Sequence, residues 1–557
     1  MLKFIPSYQP SHFYGIIQTE ELEPTLSHEN KGQTEVRGCK TKLMDHQIQA
    51  IHFIQRSKSE LVSIPLEIWN HQDNQWVQNA FNDAVRKGRL NDKIRFDSKG
   101  CILADDMGLG KILTTLAAIQ LSSREAMNFS NKPLNVENKM WSSAKLIICP
   151  LSTLENWKNK INVHFTEGSL PFKTFYGKEK LLLKFEDIAR VAVVLATYES
   201  IPIPRQVESS RAASSSSQET NLNFANVQWF RIVLDEAHYM KDPKTIRSTS
   251  LLALKAFLRL EPWTNNSIWK QYIEAPVQLC SPQGIWTLQS IMKGISMRRL
   301  KTTVLALPEK SESTVHIELE KPWDITYQKN HADFAQEFGK NRISAHVWDS
   351  RNFFGELVNL RQLCNHPALI EKGEGTRGYN WNESSKIVHL VNDLAALLAS
   401  GKNSRAVVFL EFKRFLQIIE AALNERGIGF TIHYGKMENE TRRKNLELFR
   451  RDVSCRVLLA TIKTAGVGID LQCANKVYLM EPTWNPAVEE QAIDRLYRIG
   501  QKERVQVVRY CVKDSIEENI FQIKWKKAEL AMVSVPLCGN LEYEMVKKLM
   551  MKKSGNK

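Results

Sequence analysis

No apolar run in the sequence approaches the roughly 18 residues that a bilayer-spanning helix needs. The opening MLKFIPSYQPSHFYG has neither a long apolar stretch nor a small-residue cleavage site, so no secretory leader is expected. Cysteine is sparse. Nine in 557 residues do not make a disulfide scaffold. The nearest pair in sequence, Cys455 and Cys473, lacks zinc-ligand spacing, so neither a RING nor a zinc finger is expected. Acidic residues are in deficit, 61 against 76 basic ones, a net charge of +15. That excess is compatible with a nucleic-acid partner and does not establish one. An apolar fraction of 43% with 25% charged residues excludes global disorder and collagen-like repeats. What remains is a soluble protein of a reducing compartment. At about 150 residues per domain, its length suggests three or four domains.

Organisation emerges from periodicity. Residues 1–40 are polar and irregular, with Pro6, Pro10 and Pro24, and read as an N-terminal arm. Met44 to Ile54 carries apolar residues at helical spacing. Cys101 to Ala104 is a short apolar strand entering a glycine-containing turn, and Leu113, Leu116, Ala117 and Ile119 then mark a buried helix face. Strands are predicted at Leu146 to Cys149, Val191 to Thr197 and Ile232 to Leu234, with a helix over Leu151 to Ile161. Ser209 to Thr220 is a low-complexity solvated loop. Residues 245–385 read as mostly helical and contain MRRLK (Met297 to Lys301) and LRQLCNHPAL (Leu360 to Leu369). A second series follows, with strands at Ala406 to Phe409, Phe430 to His433, Val457 to Ala460, Val477 to Met480 and Val505 to Tyr510. Between them lie helices such as Phe412 to Arg426 and Asn439 to Arg450. Such alternation predicts parallel α/β sheets, in two units.

Four elements carry chemistry. ILADDMGLGK, Ile102 to Lys111, joins a strand to a helix. Gly108 and Gly110 allow close backbone approach to a phosphate, the helix N-terminus offers N–H donors, and Lys111 would reach the β- and γ-phosphates. The alternative is a glycine turn without a ligand. Ile112 stands where the phosphate loop calls for Ser or Thr, whose hydroxyl ligates Mg²⁺. In VLDEAH, Val233 to His238, Asp235 would hold Mg²⁺ and Glu236 would orient and deprotonate the attacking water. The alternative is an ordinary helix start. QAIDRLYRIGQ, Gln491 to Gln501, places Arg495 and Arg498 three apart on one helix face, as arginine fingers or as solvated surface. TAGVGIDL, Thr464 to Leu471, puts Gly466 and Gly468 in a tight turn, as a bulge or as a loop on the DNA backbone and nucleotide.

These runs together resemble the Swi/Snf family of helicase-like ATPases in superfamily two. They are DDMGLGK, ICPLSTLENW (Ile148 to Trp157), LATYES (Leu195 to Ser200), LDEAH, LRQLCNHPAL, VLLATIKTAGVGIDL and PTWNPAVEEQAIDRLYRIGQ. The likeness spans roughly residues 40–530, and its spacing is most similar to the post-replication-repair and helicase-like-transcription-factor branch. Many members of that branch carry a RING between the lobes. No such cluster is seen here, so ubiquitin-ligase activity is not expected.

The resemblance implies two RecA-like parallel-sheet lobes in tandem with a mainly helical connecting region. Its domains would be an arm at 1–40, an ATP-binding lobe at 41–263, a helical connector at 264–385, a C-terminal lobe at 386–541 and a basic tail at 542–557. It implies ATP and Mg²⁺ between the lobes, and ATP-driven translocation along double-stranded DNA, nucleosomal DNA included, in repair or chromatin remodelling in the nucleus. Gln47 would contact adenine, and Asp106, Met107, Gly108, Leu109, Gly110, Lys111 and Ile112 would form the phosphate loop. Lys111, Asp235 and Glu236 would be the ATPase centre, with Asp235 the metal ligand. His238 and Gly468 would couple it to lobe movement, and Arg495 and Arg498 would be the fingers.

Two departures stand out. Ile112 replaces the family's Thr, and the third motif, a strand ending in a TGTP-like turn, is missing: HYMKDPKTIRSTSLLALKAF runs directly into LRLEPW, Leu258 to Trp263. Two functions therefore remain open, an active DNA translocase and a hydrolysis-impaired DNA-binding scaffold. A metabolic P-loop kinase would leave the second unit unexplained.

Overall fold

A computed structural model of the chain describes residues 35–59, 100–131, 140–201, 227–237, 269–278, 295–340, 350–370, 380–400, 404–465 and 469–523, besides a few isolated positions. The arm at 1–34, the low-complexity loop, the stretch 238–268 and the basic tail lie outside these. Two compact units divide between Val304 and Leu305. Among the described residues no helix is long and apolar enough to cross a membrane.

The first unit begins with α1 (Asp45–Ser59). Strand β1 (Ile102–Leu103) leads into α2 (Lys111–Leu121), which is followed by α3 (Ser123–Ser130). Then come β2 (Met140–Cys149), α4 (Leu151–His164), β3 (Phe172–Phe175), β4 (Val193–Thr197) and β5 (Val227–Leu234). The last four strands form a parallel sheet in the order β3-β4-β2-β5. The run LIIC explains why β2 is central: a strand covered on both faces must be apolar on both. Ile147 and Cys149 pack with Leu116, Ile119 and Trp157 on one face, while Leu146 and Ile148 pack with Val194, Ala196 and Trp229 on the other.

Strand β1 lies elsewhere. It pairs in parallel with β6 (Ser296–Met297), in the register Ile102↔Ser296 and Leu103↔Met297. Among the described residues nothing joins this two-stranded sheet to the four-stranded one: β5 pairs with β2, and β1 with β6.

The second unit opens with β7 (Lys310–Ile317), α5 (Trp323–Lys340) and α6 (Ser350–Leu363). Next are α7 (Ser385–Ala399), β8 (Ala406–Leu410), α8 (Lys413–Glu425), β9 (Phe430–His433) and α9 (Asn439–Arg451). It closes with β10 (Val457–Thr461), β11 (Lys476–Leu479), α10 (Pro486–Ile493) and β12 (Val505–Val512). Six parallel strands stand in the order β7-β12-β11-β8-β10-β9. β8 is buried throughout, with Ala406, Val408 and Leu410 towards α7 and α8, and Val407 and Phe409 towards Phe449 and Ile493. The stretch read as mostly helical thus contributes two strands, the short β6 and an eight-residue one in this sheet. KSESTVHI forms β7 at the sheet edge, pairing with β12 alone.

His433 ends β9 buried, with Nδ1 lacking a partner. Burial pushes its imidazole down to about 4, and the Arg442 guanidinium adds to the shift. The unfolded chain therefore takes up a proton near pH 6.5 that the folded unit refuses until about pH 4. The stability this residue confers is complete above about pH 6.5 and falls away towards pH 4, a loss of roughly 3 kcal/mol. We expect His433→Leu to flatten that part of the acid limb when urea midpoints are compared at pH 7.5 and 4.5. An unchanged slope would refute the assignment.

Candidate nucleotide site

The phosphate loop is built by the strand–turn–helix run at 102–121. Gly108 and Gly110 adopt left-handed φ values of 91° and 81°. At Gly110 the left-handed φ favours glycine, and a Cβ there would lie 2.4 Å from Gln47 Nε2 and push that amide away from the loop. No side chain caps α2, an eleven-residue helix whose first-turn N–H groups have no intrahelical acceptor. Those donors, with the helix dipole, make an anion cradle. Lys111 folds back over it, Nζ donating to the carbonyls of Asp105 (2.5 Å) and Asp106 (3.1 Å). Burial lowers the Lys111 ammonium from its ordinary pKa, while Asp105, Glu236, Asp235 and Asp106 pull it back up. The Lys111 ammonium thus lies within electrostatic reach of Asp235 and Glu236.

Gln47 sits in the first turn of α1. Its Oε1 accepts from the Met44 amide (3.0 Å), and its Nε2 donates to Leu109 O at 3.5 Å. His46 Nε2 lies 2.9 Å from the same carbonyl. Leu109 is buried, Met107 occupies the turn, and Asp106 Oδ2 accepts from the Lys301 amide at 3.0 Å. Asp106 therefore faces the segment after β6.

At the end of β5, Asp235 is positioned by two side chains to which the motif reading assigned no role. Trp157 Nε1 donates to Asp235 Oδ2 (2.8 Å), and Tyr198 Oη donates to its carbonyl (2.8 Å). Both belong to runs already noted, ICPLSTLENW and LATYES, but their partner is 78 and 37 residues away. Glu236 has φ 52°, the left-handed region, where a non-glycine residue is strained.

The donor set fits a nucleotide better than it fits a fully protein-ligated metal. Ile112 packs against the apolar cluster of Leu113, Leu116 and Trp157. The neighbouring hydroxyls are committed, Thr115 to Lys111 O (2.8 Å) and Thr114 to Gly110 O (3.3 Å). Among the described residues no three His, Cys, Asp or Glu side chains converge as ligands. Asp235 would be the protein's anchor for Mg²⁺, with phosphate oxygens and water completing the shell. His238 and Gly468 lie outside the described residues.

The model of the SNF2-related domain matches residues 46–256 and 247–369, and that of the helicase conserved C-terminal domain matches 389–500. The chain belongs to the Swi/Snf family. Its similar relatives place this Swi/Snf chain on the branch read from its spacing. DNA repair protein RAD5B of Arabidopsis thaliana is 24% identical over 78% of this chain and 45% of its own length. The helicase-like transcription factor of Oryctolagus cuniculus is 25% identical over 91% of this chain and 61% of its own. DNA repair protein rad8 of Schizosaccharomyces pombe is 24% identical over 77% and 52%. The chain spans about half the length of the curated relatives it matches.

The second unit of this Swi/Snf chain corrects one expectation. Arg495 and Arg498 are not on a helix face. α10 stops at Ile493, and both arginines occupy the turns that follow. The last helical carbonyls, of Glu490 and Ala492, accept from the backbone amides of Asp494 (2.8 Å) and Arg495 (3.2 Å), and glutamine side chains brace the turns that follow. Gln501 Nε2 shares its two N–H donors among the carbonyls of Gln472 (3.2 Å), Ala474 (3.0 Å) and Leu496 (3.2 Å), and Gln472 Nε2 donates to Ile499 O (2.6 Å). Gly500, at φ 101°, then turns the chain away. Arg498 Nε is buried without a partner, so its guanidinium is only partly solvated where it stands.

Proposed function

We propose that this chain is an ATP-dependent translocase on double-stranded DNA, serving DNA repair or chromatin remodelling in the nucleus. Family membership and the DNA-repair names of its relatives support the track and the setting. One observation carries the nucleotide reading: an uncapped helix N-terminus whose lysine lies among the carboxylates of Asp105, Asp106, Asp235 and Glu236. The α2 amides and Lys111 would hold the phosphates, and Gln47 the adenine. Glu236 would take the proton from the attacking water. Mg²⁺ at Asp235 would neutralise charge on the phosphate oxygens. Arg495 and Arg498 would supply positive charge from the second unit. The lobes and connector would follow the boundaries 41–263, 264–385 and 386–541.

A second reading, a hydrolysis-impaired DNA-binding scaffold, draws on Ile112 packing against the core cluster and on the TGTP-like motif missing from the sequence. Measuring ATPase with and without duplex DNA separates the two.

Either reading expects duplex binding with little sequence preference, since the track is the phosphate backbone and the chain carries +15. Affinity for a random duplex should drop at least about tenfold between roughly 50 and 200 mM salt. A flat salt response, or binding confined to one sequence, would remove the DNA track from the proposal.

A further inference from the structure

MRRLK was noted in the sequence without a task. Its second arginine lies against the phosphate loop. Arg299 Nε donates to Asp105 Oδ1 (3.1 Å) and one terminal nitrogen to Oδ2 (2.5 Å), a two-pronged pairing with a buried carboxylate. Its other terminal nitrogen donates to the carbonyl of His46 (2.9 Å) and to Gln49 Oε1 (3.1 Å), both on α1. Four of its five N–H donors are thereby used. Backbone bonds run alongside: Ala104 N to Met297 O (2.8 Å) and Asp106 N to Arg299 O (3.0 Å).

We propose that Arg299 is a positioning residue for the nucleotide, fastening the phosphate loop to the helix that carries Gln47 and keeping Asp105 away from Lys111. The inference rests on the nucleotide reading above. The guanidinium bridges the first residues of the loop to the residue next to Gln47, while His46 and Gln47 grip the loop's far side at Leu109. Base contact and phosphate contact are thereby set by one clamp. Asp105 also has a second cation in reach, the Lys111 ammonium, which rests on the Asp105 carbonyl and feels its carboxylate. Without Arg299 the buried carboxylate must find another counter-charge, and Lys111 is at hand. The ammonium needed by the phosphates would be captured inside the loop.

The clamp therefore makes a demand that a merely stabilising ion pair does not. Neutralising Asp105 should repair what loss of Arg299 damages. Binding of a fluorescent ATP analogue with Mg²⁺ would be titrated against the unchanged chain, Arg299→Ala, Arg299→Lys, and Arg299→Ala combined with Asp105→Asn. Competition by ATP and GTP would be read in each. We expect Arg299→Ala to weaken binding by about tenfold or more and to erode the preference for adenine, since the helix that carries Gln47 is then tied to the loop at Leu109 alone. Arg299→Lys, a point charge without the fork, should fall between. The double variant should recover at least about threefold over Arg299→Ala, because Lys111 is released. Far-UV circular dichroism establishes that each variant is folded. If Arg299→Ala does not fold, Arg299→Lys carries the test.

Unchanged affinity and base preference in a folded variant, or a double variant that binds no better than Arg299→Ala, overturns the clamp while leaving the nucleotide reading intact. An unchanged chain that binds no analogue at all overturns both.

Discussion

Replacing Lys386 by methionine is expected to remove a large part of the second unit's stability. Its ammonium is completely buried and spends all three donors, on Glu517 Oε1 (2.6 Å), Asn365 Oδ1 (2.8 Å) and Met480 O (2.8 Å). Glu517 is equally buried, and its other oxygen accepts from the Val512 amide at 2.9 Å. Asn365 passes the network on, donating to Glu481 Oε1 (2.8 Å), and Glu481 Oε2 accepts from the Glu411 amide (3.0 Å). Arg361 pairs with Glu411 at 2.5 Å and donates to Pro482 O at 3.1 Å. Burial pushes the Glu481 carboxyl up to about 7, against the pull of Lys386 and Arg361.

Methionine fills the volume of Lys386 but leaves Glu517 buried and uncompensated. Breaking one side of such a pair costs about 3–5 kcal/mol, a large part of the about 5–15 kcal/mol that holds a domain together. Urea unfolding of the full chain, followed by fluorescence and circular dichroism, should show the loss. Adding Glu517→Gln should return part of the stability. A Lys386→Met midpoint within about 0.5 kcal/mol of the unchanged chain would mean the charge is tolerated by water reaching it.

That network also marks where sequence reading stopped. CNHP was recognised as a family signature, and the structure shows what its asparagine does: Asn365 joins Lys386 to Glu481. Nothing local foretells this, since Asn365 and Glu481 are 116 residues apart and Lys386 and Glu517 are 131 apart. Strands such as LIIC in β2 and AVVFL in β8 were legible because burial on both faces requires an unbroken apolar run. β7 was not, because an edge strand that buries little, KSESTVHI, carries no such run. The arginine pair had helical spacing, yet spacing cannot register that α10 ends at Ile493 and that Gln472 and Gln501 brace the turns beyond it. At the phosphate loop, chemistry was legible residue by residue, down to the missing hydroxyl at Ile112. The supports were not: Trp157, Tyr198 and Arg299 act on partners far along the chain.

On the hydrolysis-impaired reading, the purified chain is expected to turn over ATP well below about 1 s⁻¹, the low end of ordinary enzyme rates, even with saturating duplex DNA. The family pattern places a strand beside the one that ends in DEAH, presenting polar side chains towards the γ-phosphate. Here β5 pairs with β2 and β1 with β6, and among the described residues no strand bridges Leu234 to the strand that launches the phosphate loop. A sheet interrupted at that place can hold Lys111 and Asp235 near one another through packing, as it does. In the sequence, HYMKDPKTIRSTSLLALKAF runs into LRLEPW without the TGTP-like turn that in the family pattern would sense the departing phosphate. Ile112 adds a separate deficit, because its side chain packs against the apolar cluster and offers a metal no oxygen. Ile112→Thr should therefore raise turnover by up to about tenfold, equivalent to about 1.4 kcal/mol of barrier, with water no longer standing in for the hydroxyl. The same change removes apolar packing beside Leu113 and Leu116, so a small loss of stability should accompany the gain. It should not restore strong stimulation by DNA, since coupling would depend on the TGTP-like motif that the sequence does not carry and not on the metal. Steady-state hydrolysis by both forms, each with and without duplex, decides the matter. Equal rates would sink the metal-ligand argument, and vigorous DNA-stimulated hydrolysis with translocation by the unchanged chain would mean that another segment performs the third motif's work.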